Sequence, residues 1–112
     1  MNVNFDRRDG VLAVEVKGRI DSGDALKFER TVREGIGEAD RDVVMDFNEL
    51  TYISSAGLRA VLMIAKNLEK RKGALVVSSL PENVREVFRI SGLDKIIEVR
   101  GSKSEALAAP DD

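Results

Sequence analysis

The sequence predicts a single α/β domain, in which a mixed, mainly parallel sheet of four or five strands is flanked by four α-helices. Short apolar segments alternate along the chain with longer amphipathic ones, an order typical of a sheet layered against helices. Two of the short segments, 43–47 (VVMDF) and 74–77 (ALVV), are apolar almost throughout, as in central strands covered on both faces. The length of 112 residues fits one domain. We expect residues 1–112 to form it, with a short flexible tail at 108–112.

The amino-terminal region predicts an antiparallel hairpin. Residues 11–17 (VLAVEVK) place apolar side chains on one face at every second position, which indicates a strand. Residues 3–7 can pair with it, because Asp9-Gly10 between them is a strong hairpin-turn dipeptide. A final short strand is predicted at 96–99.

Helical spacing of apolar residues predicts the four helices. The first covers 24–37 and the second covers 56–70, each with one apolar stripe. The third begins at Pro81 and ends before Gly92, a typical helix stop. A short last helix is predicted at 103–109.

Side-chain caps are predicted for two of these helices. Asp21 or Ser22 can cap the first turn of the first helix. Ser79 and Glu82 have the spacing of a capping box for the third helix, with Pro81 in the first helical turn as the alternative.

The composition argues against several function classes. The chain has no cysteine and no histidine, so disulfides, thiolate nucleophiles and the commonest general base and metal ligand are excluded. We therefore expect no enzyme, no metal site and no cofactor. A net charge of −2 lacks the basic footprint of a nucleic-acid-binding protein. No apolar run approaches the ~20 residues that span a bilayer, and the start of the chain lacks a signal-peptide pattern. A cytoplasmic location without membrane insertion is therefore expected.

One segment, residues 46–58, is the candidate functional site. In it Ser54 and Ser55 fall where the second helix begins, and Ala56 and Gly57 let another group approach the backbone closely. Free N–H groups and the helix dipole at such a position can accommodate a phosphate on either serine. The alternative is structural, since serines before an apolar helix are usually N-caps.

Other polar segments have a structural interpretation that is favoured over a functional one. Asp21-Ser22-Gly23-Asp24 could be a ligand turn, but a helix start is favoured. The basic cluster at 66–72 could bind an acidic partner, but a solvated helix end is favoured. The segment 101–104 (GSKS) lacks the full phosphate-loop pattern.

Three segments together resemble the STAS domain family. They are 50–58 (LTYISSAGL), 18–21 (GRID) and 84–97 (VREVFRISGLDKII), in the family's order and spacing. The family includes bacterial anti-sigma factor antagonists and domains attached to anion transporters. The resemblance implies that this chain is an anti-sigma factor antagonist. The unmodified form would bind an anti-sigma factor serine kinase and release the sigma factor, phosphorylation would end the binding, and a serine phosphatase would restore it.

The resemblance also implies the modified residue. The family's phosphorylated serine lies two residues before a glycine, and alignment on Gly57 makes it Ser55, with Ser54 as the fallback. Ser54 replaces the usual aspartate of the motif, and Ala56 replaces a second serine.

We further expect a partner-binding surface built from the turn at 21–24, the loop at 51–57 and the exposed side of the second helix. Its predicted members are Asp21, Ser22, Asp24, Thr51, Tyr52, Ser54, Ala56, Gly57 and Arg59. The alternative function is a STAS subunit of a transporter or of a larger sensory complex, acting as a protein–protein docking module. The sequence does not determine the oligomeric state.

Overall fold

The computed structural model describes residues 1–101 and confirms the α/β class, with six strands and three α-helices in this range. The elements are β1 (Asn2–Arg8), β2 (Val11–Ile20), α1 (Ala25–Gly35), β3 (Asp42–Asp46), β4 (Leu50–Ile53), α2 (Ser55–Lys70), β5 (Ala74–Ser78), α3 (Glu82–Ser91), a 3₁₀ helix (Leu93–Lys95) and β6 (Glu98–Arg100). The predicted helix at 103–109 and the predicted tail at 108–112 lie outside the described residues.

The sheet is mixed and mainly parallel, as predicted. Its order is β1-β2-β3-β5-β6, with only the β1–β2 pair antiparallel along this path. The β1–β2 hairpin turns at Asp9 and Gly10, both in the left-handed backbone region. Each parallel connection moves one strand further in the same direction, so right-handed crossovers place all three helices on one face of the sheet.

One strand, β4, was not predicted, since residues 51–57 were expected to form a loop. Its four residues have the burial pattern buried, exposed, exposed, buried, which lacks the period of two that signals a strand. It pairs in parallel with the end of β2, away from the main sheet. The end of β2 can pair with β4 because β2 has an irregularity between Gly18 and Arg19, where Gly18 has φ +94°.

The predicted cap of α1 was wrong. The N-cap position belongs to Asp24, which makes no side-chain capping bond. Asp21 and Ser22 lie further upstream, in a turn closed by a 3.0 Å bond from the Asp24 amide to the Asp21 carbonyl. The Asp24 carboxylate instead accepts from the Asp21 amide at 3.4 Å.

The capping box predicted for α3 was also wrong, whereas the alternative start at Pro81 is close to the observed one. Pro81 occupies the N-cap position, without a side-chain capping bond. Ser79 has φ +61°, and its amide bonds to the Arg100 carbonyl, so it belongs to the β5–β6 edge. Gly92 ends the helix in the left-handed region, as expected. The last strand covers Glu98–Arg100 rather than the predicted 96–99, because a 3₁₀ helix occupies Leu93–Lys95 and Ile96 is its C-cap.

The main core lies between the sheet and the helices. Phe28 of α1, Ile64 of α2 and Phe88 of α3 are at most 1% exposed and pack in one cluster with the inward side chains of the strands. On the opposite face of the sheet, Val11 and two other valines form a separate small cluster.

Candidate functional site

The end of β2 and the short strand β4 bring two distant segments together. Ile20 pairs with Ile53, and the Ser54 amide donates a 2.9 Å bond to the Ile20 carbonyl. The turn at 21–24 leaves β2 at this point, and α2 leaves β4 at the same point. The structure therefore places the turn at 21–24 beside the start of α2.

Ser54 is the N-cap of α2. It has an extended backbone, and its Oγ accepts a 3.1 Å hydrogen bond from the Gly57 amide. Its carbonyl accepts the first intrahelical bond, from Leu58 at 2.9 Å. The residue is only 5% exposed. Ser54 therefore has the N-cap role that the sequence offered as the structural alternative for the two serines, and Ser55 does not have it.

Ser55 is the first residue of α2, and its side chain is exposed. Arg59, also exposed, lies four residues later on the same side of the helix. The first turn of α2 contains no acidic residue. An anion attached to Ser55 would therefore meet the positive end of the helix dipole and one arginine.

Two predicted contact residues face inward, which corrects the predicted surface. Gly57 is buried, and a Cβ there would lie 2.8 Å from Ile53 Cγ1 and 2.9 Å from Ile20 Cγ2. The glycine thus lets α2 approach β2 and β4 within the domain, rather than letting a partner approach. The Ser54 side chain is likewise buried, whereas Ala56 is half-buried.

Strand β4 presents its polar side chains outward. Tyr52, 40% exposed, stacks under the Arg19 guanidinium, whose Cζ lies 4.4 Å from the ring centroid. Thr51 Oγ1 donates to the Gly18 carbonyl at 3.1 Å, and Asn83 Nδ2 donates to the Thr51 carbonyl at 3.0 Å. These contacts hold β4 in place from β2 on one side and from α3 on the other.

Arg19 and Asn83 were missed as site residues. The alternation of β2 placed Arg19 outward, beside inward Ile20, but its partner Tyr52 lies on the strand that was not predicted. Asn83 reaches the site from α3, a contact with no local sequence signal.

The exposed side of α2 continues the site along the helix. The α2 face, defined as Ser55, Arg59, Met63 and Lys66, recurs at helical spacing, and all four residues are exposed. Met63 is 42% exposed, and Leu26 on the neighbouring helix α1 is 67% exposed. Asp21 and Ser22 of the adjoining turn are exposed and Asp24 is half-buried. Apolar side chains framed by charges form a surface suited to a protein partner.

Within residues 1–101, no group of three potential metal-ligating side chains is found. In the same range, no helix combines the length and apolar character needed to cross a membrane.

A model of the STAS domain family matches residues 2–106, and the chain therefore belongs to the STAS family. BtrV of Bordetella bronchiseptica, provisionally named an anti-sigma factor antagonist, is 41% identical over 97% of this chain and 94% of its own. The crystal structure of an anti-sigma factor antagonist from Mycobacterium paratuberculosis has a TM-score of 0.89 at 25% identity, covering 99% of this chain and 94% of that one.

The Bacillus protein SpoIIAA shares the fold in two forms. The unphosphorylated form of this anti-sigma factor antagonist has a TM-score of 0.79 at 20% identity, covering 95% of this chain and 93% of that one. The phosphorylated form has a TM-score of 0.72 at 18% identity, covering 96% and 97%. The predicted family and fold class are thus confirmed.

Proposed function

We propose that this protein is an anti-sigma factor antagonist in a phosphorylation-controlled partner-switching cycle of the cytoplasm. The unmodified form binds an anti-sigma factor that is also a serine kinase, and this binding releases the sigma factor. Phosphorylation of Ser55 ends the binding, and a serine phosphatase restores it. The observation that carries the proposal is the exposed Ser55 side chain at the first position of α2, beside a serine that already caps the helix.

A phosphate on Ser55 is compatible with the folded domain. It would add about −1.5 to −2 charges at the positive end of the α2 dipole, where an anion is stabilised. The cap would stay intact, because the Gly57 amide bonds to Ser54 and not to Ser55. The occurrence of this fold in SpoIIAA in both an unphosphorylated and a phosphorylated form supports such compatibility.

The same phosphate would oppose docking. In a packed interface the phosphate must lose its hydration. It is also much larger than the Ser55 hydroxyl, so it would push the partner away from the contact. A loss of about 3 kcal/mol weakens binding more than a hundredfold. The switch therefore works at the interface, without a change in the fold.

Arg59 gives the switch a second component. It follows Ser55 by four residues, the spacing at which side chains on one helix face meet. In the unmodified protein its guanidinium is available to an acidic group of the partner. After phosphorylation it can pair with the phosphate instead, since charge-assisted bonds to phosphate are strong. The partner then loses one contact in addition to meeting the new charge.

The relatives support the class of partner. BtrV and the mycobacterial protein carry anti-sigma factor antagonist in their names, and both cover nearly the whole chain. The test is to incubate the protein with ATP and each purified anti-sigma serine kinase of the host. We expect one kinase to add a single phosphate, mapped to Ser55 by mass spectrometry. Ser55→Ala should abolish the modification, and Ser54→Ala should retain it.

A negative result in the kinase assay would overturn the proposed cycle. If no such kinase binds or modifies the protein, and protein purified from its own host carries no phosphate at 54–55, the cycle is wrong. Recovery of a transporter subunit as a stoichiometric partner would then support the alternative docking role.

A further inference from the structure

Strand β1 lies at one end of the sheet, and one of its edges is open. In the order β1-β2-β3-β5-β6, β1 pairs with β2 alone within residues 1–101. The described chain ends just after β6, at the other end of the sheet, four strand spacings or about 19 Å away. An open strand edge presents backbone N–H and C=O groups that can pair with another strand.

The hairpin geometry determines which backbone groups of β1 face the open edge. Asp9 and Gly10 have φ +52° and +82°, as in a type I′ turn, and Arg8 pairs with Val11 across it. Hydrogen bonds between the flanking residues close such a turn, and bonded and non-bonded positions alternate along an antiparallel pair. The even-numbered residues of β1 therefore bond to β2, and the odd-numbered ones point their N–H and C=O groups outward. The outward-facing residues are Val3, Phe5 and Arg7.

Strand β1 lacks the features that commonly block an open edge. It contains no proline, and its pairing with β2 continues without a bulge from Asn2 to Arg8. Its charged side chains are already paired within the chain, Asp6 with Arg8 at 2.7 Å and Arg7 with Asp40 at 2.6 Å. This pairing reduces the repulsion that these charges would exert on an approaching strand.

A second copy of β1 fits this edge in one antiparallel register. When Phe5 of one copy lies opposite Phe5 of the other, every outward-facing residue meets an outward-facing residue of the other copy. Asn4 then lies opposite Asp6, and no two like charges are opposed. A register centred on Asp6 would oppose two aspartates, and one centred on Asn4 would leave Arg7 outside the paired strands. The match therefore selects the register centred on Phe5.

Phe5 also contributes apolar area at the centre of this register. Its side chain is 38% exposed and lies against α1, where a Cβ at Gly35 would overlap the ring. The ring is therefore held on the helix face of the sheet, beside the open edge. In the register centred on Phe5 the two rings become cross-strand neighbours, and aromatic pairs at such positions are stabilising.

We propose that two copies of this chain form a weak dimer with twofold symmetry through the open edges of β1, with Phe5 at the centre. The sheet continues across the interface, and the helices of both copies lie on the same face. A strand of unrelated sequence is a poorer occupant, because the match described above exists between two copies of β1. The interface is smaller than the ~800 Å² per partner of a stable complex, so the dimer dissociates on dilution. The proposal does not depend on the role of Ser55.

Sedimentation of the full-length protein from micromolar to millimolar concentration tests the dimer. We expect wild type to shift from monomer to dimer over this range. Phe5→Lys and Phe5→Glu each oppose like charges at the twofold axis, and each should weaken the dimer at least about tenfold. An equimolar mixture of the two variants should associate again, because opposite charges then face each other. Leu26→Lys, at an exposed apolar position on α1, is the matched control and should dimerise as wild type does.

Amide hydrogen exchange of wild type locates the interface without any substitution. At high concentration the amides of Val3, Phe5 and Arg7 should exchange more slowly than in dilute protein. The amides of Asn4 and Asp6 bond to β2 in both states and serve as the internal control. A protein that stays monomeric at millimolar concentration would overturn the proposal. A dimer that persists in Phe5→Lys, or one that protects amides outside β1 instead, would also overturn it.

Discussion

Ser54 and Ser55 are neighbours in sequence, but their side chains have opposite surroundings. Ser54 is 5% exposed and its Oγ accepts the Gly57 amide at 3.1 Å, whereas the Ser55 side chain is exposed on the first turn of α2. One serine therefore holds the helix start, and the other is available for chemistry. Under the proposed function, this division separates stability from regulation at adjacent positions.

Replacement of the capping serine should affect stability. Ser54→Ala removes the acceptor for the Gly57 amide, so we expect the free energy of unfolding to fall by about 1 kcal/mol. Urea unfolding followed by circular dichroism measures the change. Ser55→Ala is the matched control and should change stability by less than about 0.5 kcal/mol. Equal losses for the two variants would show that the capping function is not confined to Ser54.

A methyl group at Gly57 should be destabilising. The added Cβ would lie within 3.0 Å of Ile53 and of Ile20, so α2 must shift away from the strands. We expect Gly57→Ala to cost roughly 1–3 kcal/mol of unfolding free energy. Gly23→Ala is the control, because a Cβ there has no atom within 4 Å. A neutral Gly57→Ala variant would mean that the helix start tolerates more space than the structure indicates.

Much of the fold could be predicted because its signals are local. The apolar runs of β3 and β5, the Asp9-Gly10 turn and the stripe of α2 each determine their own element. The fourth strand could not be predicted, since only two of its four residues are buried and its pairing depends on an irregularity at Gly18.

The proximity of the two candidate segments could be predicted from the sequence, but the burial of the individual residues could not. The two serines and the turn at 21–24 do meet, because Ile20 and Ile53 are paired. Which serine is buried could not be inferred, since either could cap the helix. Gly57 was assigned to a partner contact because a sequence does not show which side of a glycine is crowded.

The loss of folding stability at acidic pH should depend on Asp40. The hydrogen bond from Arg7, 2.6 Å between Nη2 and Oδ2, lowers the pKa of Asp40, and the Gly37 amide at 2.7 Å helps. A pKa that is lower in the folded chain stabilises the fold above the unfolded value of about 4. This stabilisation is lost as the pH falls through the folded value.

Asp40→Asn tests this contribution. At pH 7 the variant should be less stable by up to about 1 kcal/mol, because Arg7 loses a charged acceptor but is itself half-exposed to solvent, and the difference should shrink below pH 4. Urea unfolding at a series of pH values measures it. Glu86→Gln is the control: the Arg89 hydrogen bond lowers the pKa of Glu86, but both groups are exposed and solvent screens them. A difference from wild type that stays constant between pH 7 and pH 2 would contradict the account.

Arg59 should couple to the phosphate. In Arg59→Ala, the stabilisation that phosphorylation gives to the domain should fall by about 0.5 kcal/mol, the value of a helical ion pair at this spacing. Thermal unfolding of phosphorylated and unphosphorylated samples gives the comparison. Lys66→Ala, on the same helix face but three turns from Ser55, should leave the effect of phosphorylation unchanged. The pairing of Arg59 with the phosphate is wrong if the two variants behave alike.

The affinity of Ser55→Asp for the cognate anti-sigma kinase, measured by calorimetry, tests the central claim most directly. The account predicts binding at least about a hundredfold weaker than that of the unmodified wild type, a loss of ~3 kcal/mol. The far-UV circular dichroism spectrum and the melting temperature should match those of wild type. Wild-type affinity in Ser55→Asp, or weak binding accompanied by loss of the fold, would contradict a switch that acts through the interface alone.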